Sequence, residues 1–152
     1  MTNALALIRQ WSDLPAPTLD DLVGTWKAEF VPPLRHIAPV GLGLIGLPRW
    51  YGKRFMKQGA GGLSGINLVR SRGTEELRET LPMEATHGHS NADGRPAIVV
   101  SYASTAPRPW RWVRDEFRIL PGGSWLGLSF ATVAPVRRMG LPGLPFLISR
   151  VD

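Results

Sequence analysis

The 152-residue sequence contains no cysteine. That absence excludes disulfide staples and thiolate metal sites, and it suits a reducing compartment. At this length a single domain buries roughly two thirds of its unfolded surface, enough for a core without covalent help. Lysine is scarce as well: 15 of the 18 basic residues are arginine, and among the arginines only Arg137 and Arg138 are adjacent. The net charge is +6, yet the clustered basic stripe that tracks nucleic acid is missing, so no nucleic-acid partner is expected. A scattered positive surface still leaves an anionic ligand or partner open. Long apolar runs are also absent. Nothing approaches the roughly 20 residues that span a bilayer, and the stretch Ile37–Leu47 is broken by Pro39 and three glycines. The opening residues Met1–Asp13 have no basic leader, and Arg9 interrupts their short apolar run, unlike a secretion signal. The expectation is a cytoplasmic protein off the membrane, monomer or homodimer.

Histidine is equally sparse, with His36, His87 and His89 only. His87 and His89 share one strand face but lie beside a turn, and a metal site needs three or four converging ligands. No metal and no cofactor is therefore expected; a haem protein would need His87 or His36 to face inward. No Gly-x-Ser-x-Gly nucleophile elbow occurs. The glycine-rich stretch Gly59–Gly65 lacks the strand-to-helix context of a phosphate loop and reads as a hairpin turn.

What the sequence does have is alternation. Leu5, Ile8 and Trp11 recur at helical spacing within 1–14 and predict a short amphipathic N-terminal helix ended by Pro15 and Pro17. Thr18 is placed to cap a single turn through Asp20, Asp21 and Leu22. From Gly24 the period becomes two: Trp26, Ala28 and Phe30 share one face, Thr25, Lys27 and Glu29 the other. Further strands are predicted at Trp50–Met56, Gly65–Arg70, Glu75–Thr86, Ala97–Ala103, Trp110–Ile119, Trp125–Thr132 and Phe146–Val151, separated by glycine- and proline-rich turns. An all-β fold follows, a sandwich or an eight-stranded antiparallel up-and-down barrel in one domain, 1–152. Closure is favoured because it leaves no free edge, and a barrel of that size holds side chains plus one small ligand. Two connections are apolar where turns are usually polar, 32–48 and 134–145. They read either as plugs or as covers over a ligand.

Gly24-Thr25-Trp26 after a helical turn resembles the Gly-x-Trp opening of lipocalin and calycin barrels, and Arg150 resembles the arginine that packs over that tryptophan. The sequence is more closely similar to the bacterial GXWXG-type domain of unknown function, a lipocalin-like family. The resemblance rests on Trp50-Tyr51-Gly52-Lys53-Arg54-Phe55, Asp115-Glu116-Phe117-Arg118 and Phe146-Leu147-Ile148-Ser149-Arg150. Ala28 replaces the second glycine of the Gly-x-Trp-x-Gly pattern, and the segment after the first strand is apolar rather than acidic. The resemblance implies a lipocalin-like barrel and carries no activity.

Strand phase selects the inward polar groups. Glu79 falls in register with Leu77, Leu81 and Met83, and Asp115 with Val113, Phe117 and Ile119. A carboxyl group inside an apolar barrel is suited to acid–base work, or else is paired with an inward lysine or arginine. Lys53 shares a face with Tyr51 and Phe55, where it either holds a carboxylate or enolate, pairs with Asp115, or lies solvated along the wall. Tyr102, in phase with Ile98 and Val100, offers a hydroxyl. The candidate catalytic set is thus Asp115, Glu79, Lys53 and Tyr102. The candidate ligand-binding set is Tyr51, Phe55, Trp50, Phe117, Met83, Trp112 and Phe130. Trp110 and Trp112 either lie outside under the N-terminal helix or line the cavity. Two functions fit: a cyclase or isomerase acting on a hydrophobic, polyketide- or terpenoid-like molecule by confinement, or a non-catalytic carrier or sensor. A haem-binding barrel is a third.

Overall fold

The computed structural model describes residues 3–36, 38–39, 42, 46–59, 61–132 and 143–151. Helix α1 (Ala4–Gln10) starts at Asn3, whose side chain accepts from the Ala6 backbone N–H at 2.9 Å. A 3-10 turn at Trp11–Asp13 follows, and then the one-turn helix α2 (Leu19–Leu22). Thr18 and Asp21 form a reciprocal capping box there, satisfying two backbone donors that the helix leaves free. Eight strands complete the chain: β1 (Gly24–Glu29), β2 (Trp50–Lys57), β3 (Leu63–Arg70), β4 (Leu77–His89), β5 (Pro96–Tyr102), β6 (Val113–Ile119), β7 (Trp125–Ala131) and β8 (Leu144–Arg150). Each pairs antiparallel with its sequence neighbours, and β8 returns to β1, closing the barrel.

Because the strands alternate in direction, one end of the barrel gathers the starts of β1, β3, β5 and β7. This base is sealed by aromatic packing. The Trp26 and Trp125 rings lie 4.6 Å apart, and the Arg150 guanidinium stacks 4.5 Å over Trp26 while donating to the Val23 carbonyl at 2.6 Å. At the opposite end, the mouth, β1 runs out towards β2 and β7 towards β8. Both long apolar connections therefore leave from the mouth. Of the first, Leu47 is buried and Leu34, Ala38 and Leu42 pack against the core. Most of the second, 133–142, lies outside the described residues.

Two irregularities set the side-chain phase. The β2–β3 register shifts between Trp50 and Gly52, which turns Trp50, Lys53 and Phe55 inward together. Gly52 is obligatory at this point, since a Cβ there would lie 1.9 Å from the Trp26 carbonyl oxygen. The β3–β4 register shifts between Ile66 and Asn67, where Leu81 takes a left-handed φ of 50°. An extra residue in a period-two element reverses the faces on either side of it. Glu79 is consequently on the outer surface rather than in the interior with Met83.

A second apolar cluster covers part of the outer wall. Ala4, Leu7 and Trp11 pack on Val31, Ala97, Leu126 and Leu128. Burying Leu7 and Trp11, each 2% exposed, contributes on the order of 1.5–3 kcal/mol per side chain and fixes α1 against the barrel. Beneath it Arg118 is fully buried. Its guanidinium forms a bidentate pair with Asp93 at 2.7 and 2.9 Å, donates to the carbonyls of Trp11, Arg95 and Pro96, and stacks under Trp11.

Candidate functional site

Four polar side chains from four strands meet in the mouth half of the barrel: Lys53 of β2, Asn67 of β3, Tyr102 of β5 and Asp115 of β6. All are buried. The Lys53 ammonium donates to Asn67 Oδ1 at 3.1 Å and the Tyr102 hydroxyl at 3.2 Å, and lies 3.2 Å from Asp115 Oδ2. Its three hydrogens are thereby spent, with Met83 Sδ a softer neighbour at 3.6 Å. Burial pushes the Lys53 pKa down, but Tyr102 and Asp115 outweigh it and hold the ammonium above its ordinary value. The ammonium is therefore charged at neutral pH.

Asn67 is the hub. Its Oδ1 accepts from Trp50 Nε1 at 3.1 Å as well as from Lys53, and its amide donates to the Leu81 carbonyl at 3.1 Å and to the Tyr102 oxygen at 3.0 Å. Every hydrogen-bonding position of this amide is used, so its orientation is fixed. Tyr102 receives two hydrogen bonds on its oxygen, and among the described residues its own proton has no acceptor. Burial, with Asp115 adding to it, raises the Tyr102 pKa against the opposing pull of Lys53. The phenol stays protonated and remains a donor.

Two spaces adjoin this network. A chamber of about 50 Å³ is bounded by Lys53, Tyr102, Asp115 and Ser129 on its polar side and by Phe30, Leu47, Trp110 and Phe146 on its apolar side. A vestibule of about 270 Å³ lies outside it, lined by Ala28, Glu29, Phe30, Arg35, Pro39, Leu42, Arg49 and Trp50. Phe30, Leu42 and Trp50 belong to both walls. The vestibule occurs where the barrel wall parts. The β1–β2 ladder ends at Lys27↔Gly52, whereas β1 continues along β8 to Glu29↔Leu147.

The candidate residues divide accordingly. Lys53, Asp115 and Tyr102 converge at the chamber, and Trp50 stands between chamber and vestibule. Met83 touches the ammonium from below. Phe55 and Phe117 are core: Phe55 fills the space left by Gly65, whose added Cβ would lie 2.7 Å from that ring, and Phe117 packs edge-on to Phe146. Four residues lie elsewhere. Glu79 pairs with Arg54 on the outer surface at 3.1 Å, in consequence of the Leu81 bulge. The bulge in β2 leaves Tyr51 off the inward face, under the Arg70 guanidinium at 5.1 Å. Trp112 is not in a strand: Trp110–Trp112 form a 3-10 turn that takes both rings out of strand phase. Trp110 swings in against Tyr102 at 5.5 Å, while Trp112 is half-exposed beside Arg108. Phe130 packs with the outer cluster.

Sequence reasoning missed Asn67, Phe30 and Ser129 as site residues and left Trp110 open between the outer wall and the cavity, where it lies. Asn67 carried a usable signal, because asparagine is depleted in strands and here falls in phase with Leu63 and Val69. All three histidines are exposed, and among the described residues no cluster of histidine and carboxylate is placed to hold a metal ion. No helix among them is long and apolar enough to cross a membrane.

No protein-family model matches the chain, and no curated protein matches it in sequence. Among solved structures, a protein from Thermomonospora curvata superposes with a TM-score of 0.67 at 19% identity, over 99% of this chain and 89% of that one. At that identity the likeness extends to the fold.

Proposed function

We propose that the barrel binds a small, mainly apolar molecule and presents an oxygen function of that molecule to Asp115 and Tyr102, acting as an isomerase or cyclase. The observation that carries this reading is the buried Lys53–Asp115 ion pair beside a chamber in the mouth half of the barrel. Burying an ion pair is costly, and apolar side chains of similar volume generally serve folding as well or better. A pair retained beside a cavity, next to a phenol proton that has no acceptor among the described residues, has a use in chemistry that it lacks in folding.

The arrangement suits proton transfer next to a carbonyl. Asp115, with the Lys53 ammonium 3.2 Å away, acts as the base and takes a proton from the carbon adjacent to a ketone. Tyr102 donates to the ketone oxygen, where negative charge develops. Return of the proton from Asp115 to a different carbon gives an isomer; alternatively the enolate closes on a second carbonyl carbon of the same molecule, the C=O π bond opens, and its oxygen takes the proton back from Asp115 as the ring forms. Neither step consumes an oxidant or cofactor. The resemblance of Gly24–Trp26 and Phe146–Arg150 to lipocalin-like barrels supports ligand binding as the setting for this chemistry.

A carrier or sensor is favoured by one observation: the Lys53 ammonium spends every donor on protein acceptors, a completeness that binding without turnover also tolerates. Native mass spectrometry of the chain purified from its own host, with solvent-deuterium uptake by the released molecule, separates the readings. The isomerase reading expects a retained ligand that gains deuterium beside its oxygen function with the wild type and not with Asp115→Asn. Retention without exchange leaves the carrier. If nothing is retained and the neutral dye Nile red does not bind, the binding reading itself is wrong.

A further inference from the structure

We infer that the parting of β1 and β2 is the ligand's entry and that Arg35 and Arg49 hold an anionic end of the ligand there. This rests on the binding reading above and names the substrate class it would take: an amphiphile with an apolar body and a carboxylate or phosphate terminus.

The vestibule opens beyond the last β1–β2 rung, Lys27↔Gly52. Arg35 and Arg49 contribute to its lining, and Glu29 is the acidic residue there, so the lining carries a net positive charge. None of the ion pairs among the described residues uses Arg35, Arg49 or Glu29. Arg49 is held in place without being neutralised. Its Nε donates to the Arg70 carbonyl at 3.0 Å, and the Arg70 N–H returns a bond to the Arg49 carbonyl at 3.0 Å. Among the described residues its terminal nitrogens have no acceptor, and the fork they form matches a carboxylate or phosphate. Its backbone adopts a φ of 54°, a region where glycine or asparagine is the ordinary occupant.

The apolar walls continue inward from the arginines. Phe30, Leu42 and Trp50 line the vestibule and also the chamber. The vestibule alone approaches the lower end of the roughly 300–1,000 Å³ typical of ligand sites. A molecule lying along this path has its charged end at the arginines in water and its body against Phe30 and Trp50. Its far end reaches the Asp115–Tyr102 pair.

The test uses displacement of Nile red by three ten-carbon ligands: decanoate, decyl phosphate and decanol. The expected result is that wild type prefers an anionic ligand over decanol by about five- to tenfold, as direct hydrogen bonds to charged groups provide, with the preference shrinking at high salt. Arg35→Gln/Arg49→Gln abolishes that preference while decanol binds as before. Stronger binding of decyl phosphate than of decanoate assigns the phosphate terminus, and the reverse order the carboxylate. Equal binding of all three ligands by wild type, or an unchanged preference in the double variant, overturns the proposal and leaves the binding reading standing. If neither dye nor ligand binds wild type, the binding reading fails and the proposal with it.

Discussion

Among the described residues two ion pairs have a fully buried cation, and they are built differently. Under helix α1, Arg118 and Asp93 form a closed arrangement: both carboxylate oxygens are used, and the guanidinium also serves the carbonyls of Trp11, Arg95 and Pro96. Inside the barrel, Lys53 and Asp115 meet through one carboxylate oxygen at 3.2 Å, beside a chamber, with the Tyr102 proton unspent among the described residues. The first binds the N-terminal segment to the turn between β4 and β5 and offers nothing to a ligand. The second lines the chamber, and among the described residues the Tyr102 proton there has no acceptor. Burial and charge alone therefore do not mark a site; unspent hydrogen-bonding capacity beside a cavity does.

The sharpest way to break this contrast is to remove the interior cation. Lys53→Met strands Asp115 in the barrel and is expected to cost about 3–5 kcal/mol in urea unfolding. The double variant Lys53→Met/Asp115→Leu is expected to regain wild-type stability to within about 1 kcal/mol. A double variant as unstable as the single would make the interior pair a fold determinant like its counterpart. Arg118→Met is expected to lose about 3 kcal/mol with Nile red affinity unchanged; a shifted affinity would show that the two regions are coupled.

Smaller effects sharpen the comparison. Tyr102→Phe removes an acceptor from Lys53 and Asn67 and is expected to cost about 1–2 kcal/mol, with loss of deuterium exchange into any retained ligand. The outer pair responds to acid. The hydrogen bond from Arg118 holds the Asp93 carboxyl well below the usual carboxylate range. A depressed folded-state pKa stabilises the protein fully above the unfolded value of about 4 and is lost as pH falls below it. Asp93→Asn is expected to flatten the fall in Tm between about pH 4 and pH 2. Glu79→Gln, which alters only a surface pair, is expected to stay within about 0.5 kcal/mol of wild type and to leave Nile red binding unchanged.

Much of this architecture was legible in the sequence because period-two alternation reports the barrel wall directly. The inward phase of Lys53, Tyr102 and Asp115 follows from it, while the Arg150 stack over Trp26 was expected from the resemblance to lipocalin-like barrels. Glu79 and Tyr51 were misplaced because a bulge inserts one residue without changing hydrophobicity, and each lies beside one. A clue existed at Pro82: proline inside a strand run is a recognised mark of a bulge, and Leu81 precedes it. Trp110 and Trp112 failed for a different reason. Pro107 and Pro109 lead into a 3-10 turn where strand alternation no longer applies. The vestibule was illegible, since it arises where two strands cease to pair, a property of neither strand alone.

The tryptophans are distributed so that each region has its own chromophore. Trp26 and Trp125 lie close enough at the base to couple excitonically, which gives barrel closure a near-ultraviolet dichroic signature. Trp11, stacked on Arg118, reports the docking of the N-terminal segment. Trp50 and Trp110 bound the chamber, so their emission changes with its occupancy. Variants retaining one of these at a time would let assembly of the wall, seating of α1 and entry of a ligand be followed as separate optical events in the same molecule.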